Sequence, residues 1–170
     1  NGTNLIRVKS EGYPEDIIDL SQQVPMPDET NTAAALIRGV AARFMQLGYP
    51  VEGFDAYTTS SVLKGSGLSS SAAFEVLLGN IINAFFAGGK ETPVSIAQIG
   101  QYAENVFFGK PCGLMDQMAC ALGSVVSIDF SDPDSPKIQQ VSLDLQKAGY
   151  ALCIIDSGGD HADLTECYAA

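Results

Sequence analysis

The sequence predicts an α+β fold, in which several helices pack against short strands. Apolar residues recur at helical spacing in segments that end at glycines, and short alternating segments rich in Val, Ile, Thr and Tyr lie between them. Hydrophobic residues make up 46% of the 170 residues, which is enough for a packed core. Because strands and helices follow one another in mixed order, we expect an α+β arrangement.

Four helices are predicted from hydrophobic spacing and from the residues at their ends, over 32–47, 69–87, 93–108 and 115–122. Asn31 or Thr32 caps the first, and Gly48 stops it. The second is apolar on nearly every side, which predicts a position central to the core. The third is predicted to bury one face, formed by Ile96, Ile99, Ala103 and Val106. A further helix is predicted to begin at residue 162.

Short strands are predicted from the alternation of apolar and polar residues, and a turn around Pro133 separates two of them. They cover residues 5–10, 16–20, 54–62, 125–130, 140–145 and 150–155. The last is a continuous apolar run, which predicts a buried strand.

The most informative segment is KGSGLSSSAAFEV, which runs from Lys64 to Val76. Its two glycines permit backbone angles and close approaches that a Cβ would forbid. Three serines follow at the predicted start of a helix, where unpaired amide groups and the positive end of the helix dipole favour a phosphate group. The alternative interpretation is an ordinary Ser-rich helix cap after a strand-to-helix turn. The combination of glycines and serines in one run favours the phosphate-binding turn.

Composition argues against several classes of partner. A formal net charge of −11 disfavours nucleic acid, because a phosphate backbone requires clustered Lys and Arg. No apolar run approaches the roughly 18 residues of a membrane span. Four single cysteines and one histidine give poor support for a zinc site or a disulfide framework, so reduced thiols and a cytoplasmic location are expected.

Three spaced motifs resemble those of the GHMP small-molecule kinases, and within that superfamily those of the galactokinase family. GSGLSSSAA, at 65–73, resembles the second GHMP motif, and GKPCGLMDQ, at 109–117, is similar to a galactokinase pattern. Between them, Ala103-Glu104-Asn105 stands at the spacing where the family carries a metal-binding glutamate. The resemblance extends from about Asn31 to the C-terminus, and three motifs in one order are more specific than any one alone.

The resemblance implies a fold and a domain arrangement. Residues 1–147 are expected to form the N-terminal, ATP-binding lobe of a GHMP kinase, similar to the second domain of ribosomal protein S5. Residues 148–170 are expected to begin a ferredoxin-like C-terminal lobe. Because this second lobe is represented only by its beginning, one apolar face of the predicted strand 150–155 is expected to be incompletely covered. The family's upstream sugar-binding motif, which supplies a catalytic arginine, and its glycine-rich third motif are not found in the sequence. We therefore expect the chain to be the central part of a longer kinase and to be inactive on its own.

The resemblance also implies roles for individual residues. The phosphates of ATP are expected on Gly65, Ser66, Gly67, Leu68, Ser69, Ser70, Ser71 and Ala72. Mg²⁺, the expected cofactor, would be held by Ser71 and Glu104, because this ion prefers oxygen ligands and keeps several of its waters. Without the resemblance, Glu104 would be interpreted as a solvated acid on an amphipathic helix.

Asp116 is the expected catalytic base, which takes or orients the proton of the sugar hydroxyl in phosphoryl transfer. Its context, Gly-Leu-Met-Asp-Gln, favours this role over that of a plain charge at a helix N-terminus, worth about 0.3–1 kcal/mol. The expected sugar-binding residues are Gly113, Asp116 and Tyr168.

These assignments predict an enzyme that transfers a phosphoryl group from ATP to the anomeric hydroxyl of galactose. One alternative is another GHMP kinase, acting on N-acetylgalactosamine, mevalonate or homoserine. The others are a non-catalytic, galactokinase-like sensor of sugar and ATP, or a purely structural piece. The intact run Ser69-Ser70-Ser71, together with Asp116, favours catalysis.

Overall fold

A computed structural model describes residues 1–62, 67–132 and 135–155, and its elements follow a mixed α+β order. The strands in this part of the chain are β1 (Leu5–Ser10), β2 (Glu15–Asp19), β3 (Asp55–Thr58), β4 (Val125–Asp129) and β5 (Lys137–Val141). The helices are α1 (Ala33–Gln46), α2 (Ser70–Phe86), α3 (Pro93–Tyr102) and α4 (Met115–Leu122). A short 3₁₀ turn, Pro27–Glu29, precedes α1, and a π-helical segment, Ala103–Phe108, continues α3.

The first sheet has three strands in the order β2–β1–β3. The central strand, β1, pairs antiparallel with β2 and parallel with β3. Because side chains alternate along a strand, Ile6 and Val8 both enter the core, where they are completely buried. A second sheet consists of β4 and β5, which pair antiparallel.

Helix α1 packs its apolar face on the first sheet. Its side chains Ile37, Val40 and Phe44 belong to one buried cluster with residues of β1, β2 and α2. Thr32 stands at the N-cap position, but its hydroxyl donates to the Glu29 carbonyl at 2.6 Å and makes no capping bond to the helix. Gly48, with φ of 90°, follows the C-cap residue Leu47. The predicted bounds of this helix are therefore confirmed, as are those of α4.

Helix α1 also lies close against the π-helical segment. Gly39 of α1 is buried, and a Cβ built on it would lie 2.7 Å from Ala103 Cβ and 2.9 Å from Ala103 Cα. On the same helix, Ala35 and Ala42 form a small cluster with Phe107. Small residues on α1 thus allow the close approach that fixes the segment carrying Glu104.

We expect Gly39→Ala to lower the free energy of unfolding by up to about 2 kcal/mol. Overpacking typically costs about 1–3 kcal/mol, and the better helix propensity of alanine returns at most about 1 kcal/mol. The cost of the clash exceeds the gain in helix propensity, because one of the crowded atoms belongs to the backbone of Ala103. Urea denaturation checks this, with Gly113→Ala as the control, since a Cβ at Gly113 meets nothing within 4 Å. A Gly39→Ala protein as stable as the wild type would contradict the close contact.

The prediction that Val106 shares the buried face of the third helix is wrong. Val106 is 43% exposed, and Phe107 is buried in its place. The π-helix explains the change, because it closes its hydrogen bonds from i to i+5 and so needs an additional residue per turn. The side chain that returns to the core after Ala103 is therefore Phe107. The same face of the segment buries Glu104.

Three strand predictions are corrected by the structure. The predicted strand 54–62 is shorter in the structure and covers only β3. The predicted strand 140–145 is shifted toward the N-terminus and corresponds to β5. In both cases the strand extends only as far as a neighbouring strand pairs with it. Residues 150–155 form no strand, and their large side chains are exposed, from 68% for Ile154 to 88% for Ile155. No described strand pairs with this run, so its apolar residues lack the cover that would bury them.

The prediction that the second helix is central to the core holds for one of its faces only. Leu78 and Ile82 are buried, whereas Leu77 and Phe85 are exposed. The helix predicted from residue 162 lies outside the described residues. None of the helices in the described ranges has both the length and the apolar character that a membrane span requires.

Candidate active site

The start of α2 contains most of the predicted phosphate-binding residues. Gly65 and Ser66 lie outside the described residues. Gly67 has φ of 74°, and Ser69 adopts a left-handed conformation, with φ of 58° and ψ of 56°. Few residues other than glycine take this conformation, which costs about 1–3 kcal/mol and occurs often at functional sites. Ser69 therefore turns the chain sharply into the helix.

The first turn of α2 leaves its amide groups without helical partners. The first intrahelical bond runs from the N–H of Ala73 to the carbonyl of Ser69, at 3.1 Å. The Ser69 side chain makes no capping bond to these amides. The amides of Ser70, Ser71 and Ala72 are thus the free donors that a helix start offers to an anion.

The hydroxyl of Ser69 is used instead to reach Asp116. Ser69 Oγ donates a hydrogen bond to Asp116 Oδ2, across 47 residues of sequence. Asp116 lies in the first turn of α4 and is exposed. The tertiary structure therefore brings the predicted base against the predicted phosphate-binding segment.

Two residues further along the chain, Ser71 contacts Glu104. Ser71 Oγ donates to Glu104 Oε1 at 3.3 Å, and Glu104 is only 3% exposed. The two residues predicted to hold Mg²⁺ thus present two oxygen atoms to one place. Hard oxygen ligands of this kind suit Mg²⁺, which takes one or two carboxylates from a protein and the rest from phosphates and water. Among the described residues, no group of three or more His, Cys, Asp or Glu side chains is arranged to hold a metal ion.

Two further buried polar residues complete the site. Gln117 of α4 donates from Nε2 to Glu104 Oε2 at 2.8 Å and to Glu75 Oε2 at 3.0 Å. Glu75 of α2 is completely buried, and Gln117 is 1% exposed. One amide group therefore joins two carboxylates from different helices.

The motifs alone do not identify Glu75 and Gln117, although each leaves a trace in the sequence. Glu75 is an acid within the otherwise apolar helix α2, one turn after Ser71, and Gln117 directly follows Asp116. A charged residue on a buried helix face requires a polar partner, which is the signal that points to both.

Burial changes the acidity of the groups around Glu104. Desolvation, followed by the charge of Glu104, raises the pKa of Glu75 to about 8. The same two causes raise the pKa of the Cys112 thiol to about 12. Cys112 is therefore protonated at neutral pH and is no nucleophile, and Glu75 is predominantly neutral.

The raised pKa of Glu75 predicts a pH dependence of stability in the absence of nucleotide and metal. The unfolded chain releases this proton near the ordinary pKa of 4.5, whereas the folded chain keeps it until about pH 8. The folded state therefore binds more protons across this window, and the contribution of Glu75 to stability falls as the pH rises through it. We expect Glu75→Gln to remove this fall. Urea denaturation at several pH values checks it, and parallel curves for the two proteins would contradict the assignment.

Gly113 and Tyr168 were predicted to contact the sugar. Gly113 lines an open pocket of about 420 Å³ together with Gln101, Leu114, Met115 and Phe130. Asp116 does not line this pocket, although it lies three residues further on. Tyr168 lies outside the described residues. The roles of Gly113, Asp116 and Tyr168 in sugar binding stay predictions.

The helix start with free amides and its two acidic partners, an exposed aspartate and a buried glutamate, belong to one α+β domain. Residues 35–124 match the family described as the GHMP kinases N terminal domain, and the chain belongs to this family. The matched range runs from the first turns of α1 to the end of α4, so it contains Ser69, Ser71, Glu104 and Asp116.

Several curated relatives carry the name galactokinase. The chain is 37% identical over 166 residues to that of Lactobacillus helveticus, covering 96% of this chain and 42% of the relative. It is 32% identical over 161 residues to the galactokinase of Streptomyces coelicolor, covering 93% of this chain and 41% of the relative. The chain thus spans less than half the length of these relatives.

A solved structure has the same fold. It is the galactokinase of Lactococcus lactis complexed with galactose, which matches 85% of this chain with a TM-score of 0.71 and 23% identity. The match covers 38% of that protein. The predicted GHMP kinase N-terminal lobe is thereby confirmed as the fold.

Proposed function

We propose that this chain supplies the ATP- and Mg²⁺-binding part of a galactokinase, an enzyme that phosphorylates galactose at its anomeric hydroxyl. One observation carries the proposal: the start of α2 contacts Asp116 through Ser69 and Glu104 through Ser71. A site for phosphate, a site for metal and a proton acceptor are what phosphoryl transfer requires.

In the proposed reaction the anomeric oxygen of the sugar forms a bond to the γ-phosphorus of ATP. The bond from that phosphorus to the oxygen it shares with the β-phosphate breaks, and ADP leaves. The proton of the sugar hydroxyl passes to the Asp116 carboxylate. Ser69 holds this carboxylate beside the phosphate-binding segment, and the free amides of Ser70, Ser71 and Ala72 bind the phosphate oxygens.

Mg²⁺ fits the oxygen atoms of Ser71 and Glu104, which we propose as its protein ligands. When bound, the ion neutralises phosphate charge in the transition state. The buried carboxylate at this place is that of Glu104, and the predominantly neutral Glu75 lies on the other side of the Gln117 amide.

Galactose is proposed as the acceptor because the relatives named above are galactokinases, and one solved structure contains galactose. N-acetylgalactosamine, mevalonate and homoserine remain alternative acceptors within the family. The assay is phosphoryl transfer by the full-length protein with ATP, Mg²⁺ and each acceptor in turn. Turnover with galactose alone supports the proposal, and turnover with another acceptor in its place overturns the choice of sugar. Nucleotide and sugar binding without turnover would indicate a sensor.

A glycine at position 113 is expected to matter for the sugar and not for the fold. A Cβ there meets nothing within 4 Å, so Gly113→Ala should fold with unchanged stability. If the sugar approaches the backbone at this point, the added methyl group should raise the KM for galactose and leave the KM for ATP unchanged. Steady-state kinetics with each substrate varied checks this. An unchanged KM for galactose would remove Gly113 from the proposed site.

The remaining parts of the proposal concern the rest of the protein. Residues 148–170 are proposed to begin the second, ferredoxin-like lobe, in which Tyr168 would border the sugar. The enzyme is proposed to be cytoplasmic.

A further inference from the structure

The buried amide of Gln117 has an arrangement that the proposed reaction does not yet use. Its Nε2 carries two hydrogens, and its two strongest acceptors are Glu104 Oε2 and Glu75 Oε2, at 2.8 and 3.0 Å. A third and longer contact reaches Cys112 Sγ at 3.6 Å. Glu104 belongs to the π-helical segment, Glu75 to α2 and Gln117 to α4. The Gln117 side chain therefore links three elements around the candidate metal ligand.

The two oxygens of Glu104 have different partners. Oε2 accepts from Gln117, and Oε1 accepts from Ser71, which lies at the phosphate-binding start of α2. Fixing Oε2 therefore determines the direction in which Oε1 points. Without the amide, this buried carboxylate is free to rotate away from Ser71 while it remains among the same helices.

Glu75 plays the corresponding part for Gln117. It accepts the second hydrogen of the amide and so fixes the plane of the side chain. Gly100 of α3 makes room for the pair, since a Cβ there would lie 3.1 Å from Glu75 Cβ and 3.3 Å from Gln117 Cγ. Glu75 Oε1 and Gln117 Oε1 are both buried without a hydrogen-bond partner.

Such buried, incompletely paired polar groups destabilise a fold, each by about 1–3 kcal/mol. An apolar pair of the same size would fill this space at lower cost, so stability does not explain these residues. Function explains them if the orientation of Glu104 depends on them. Strained and unsatisfied groups of this kind are concentrated at functional sites.

We propose that Gln117 is a positioning residue for the metal ligand Glu104: its amide, held in turn by Glu75, keeps Glu104 Oε1 directed at Ser71 so that the two oxygens receive Mg²⁺ together. The inference rests on the proposed function of Glu104 as a metal ligand. Hydrogen bonds from residues behind a metal ligand typically change metal affinity or activity by 10–100-fold.

The test replaces Gln117 by methionine, which has a similar length and no amide, in the full-length protein. We expect the Mg²⁺ concentration for half-maximal turnover to rise by about 10–100-fold. We also expect kcat to recover at saturating Mg²⁺, and ATP binding in the presence of EDTA to stay unchanged. A purely structural role would instead lower turnover by the same factor at every Mg²⁺ concentration.

Asn83 of α2 offers a matched control, because it is also a buried side-chain amide that bonds to a residue outside its own helix. It donates from Nδ2 to the Glu91 carbonyl at 3.0 Å and accepts from the Glu91 N–H at 3.1 Å, with no contact to the acidic site. Asn83→Ala is expected to lower the stability and to leave the Mg²⁺ requirement as in the wild type. A Gln117→Met protein with the same Mg²⁺ requirement as Asn83→Ala would overturn the inference.

Two variants of Glu75 keep the inference testable if Gln117→Met does not fold. Glu75→Gln retains an oxygen acceptor for the Gln117 amide, and Glu75→Met removes it. We expect the methionine variant to raise the Mg²⁺ requirement more than the glutamine variant, and equal effects would count against the inference.

Turnover in the wild type that needs no Mg²⁺ would overturn the proposed function as well. Turnover that needs Mg²⁺ and Glu104 but is indifferent to Gln117 would overturn the inference alone.

Discussion

Replacing Asp116 by asparagine is expected to lower kcat by about 10²–10⁴-fold, the usual contribution of a general base. Asparagine keeps the size of the side chain and an oxygen acceptor for Ser69, and it removes the charge that takes the proton of the sugar hydroxyl. Because Asp116 is exposed, neither the stability nor the affinity for ATP should change appreciably. In the full-length protein, steady-state kinetics measure kcat, nucleotide titration measures the affinity for ATP, and urea denaturation measures the stability.

Asp129→Asn is the matched control for this prediction. Asp129 is also exposed, and it also accepts a hydrogen bond from a serine, the N–H of Ser131 at 2.9 Å, but it lies on β4 and makes no contact with α2. This variant should turn over at the wild-type rate. Asp116→Asn activity within a few-fold of the wild type would show that Asp116 is only a charge at the start of α4.

Replacing Glu104 by glutamine is expected to have opposite effects on activity and on stability. Turnover with Mg²⁺ and ATP should fall by more than about 100-fold, because even the loss of a residue behind a metal ligand costs 10–100-fold. Unfolding should require more urea, because the variant replaces a buried carboxylate, which is costly to desolvate, by a neutral amide of the same size. The pKa of Glu75 should fall at the same time, since the charge of Glu104 is one cause of its rise.

This combination separates a functional carboxylate from a structural one. If a glutamate stabilises the fold, its replacement by glutamine lowers the stability of the protein. If it is a metal ligand that destabilises the fold, the same replacement raises the stability. Glu91→Gln is the comparison, because Glu91 accepts hydrogen bonds from Tyr49 and Ser95 outside the candidate site and so should lose stability. Retention of Mg²⁺-dependent turnover by Glu104→Gln would exclude Glu104 as a ligand.

The elements that local signals define were predictable. Helix α1 begins after Thr32 and ends before Gly48, and α4 follows a Gly-Leu pair, so both could be placed from the sequence within about two residues, although Thr32 makes no side-chain capping bond. Caps and glycine stops act on the nearest backbone groups, and their effect does not depend on the rest of the fold. The segment at the start of α2 carries a motif that was recognisable in the same way.

Features that depend on neighbouring elements were not predictable from local patterns. In an α-helix Val106 would lie on the buried face, whereas in the π-helix that forms Phe107 does. The π-helical segment is also the one in which Ala103 makes its tight contact with Gly39. The run 150–155 has the composition of a buried strand, but burial requires another element to cover it. The composition of a segment indicates how apolar it is, but it does not indicate which other element of the fold packs against it.

By itself, the sequence determined the order of the helices. It also singled out the candidate phosphate-binding segment and the four residues Ser69, Ser71, Glu104 and Asp116 as candidates for the site. Only the tertiary structure decided that Ser69 meets Asp116, that Ser71 meets Glu104, and that Glu75 and Gln117 lie behind them. The physical reason is the distance along the chain. Residues 33 to 47 positions apart come within hydrogen-bonding range only through the packing of α2, the π-helical segment and α4, and no local pattern of residues encodes that packing.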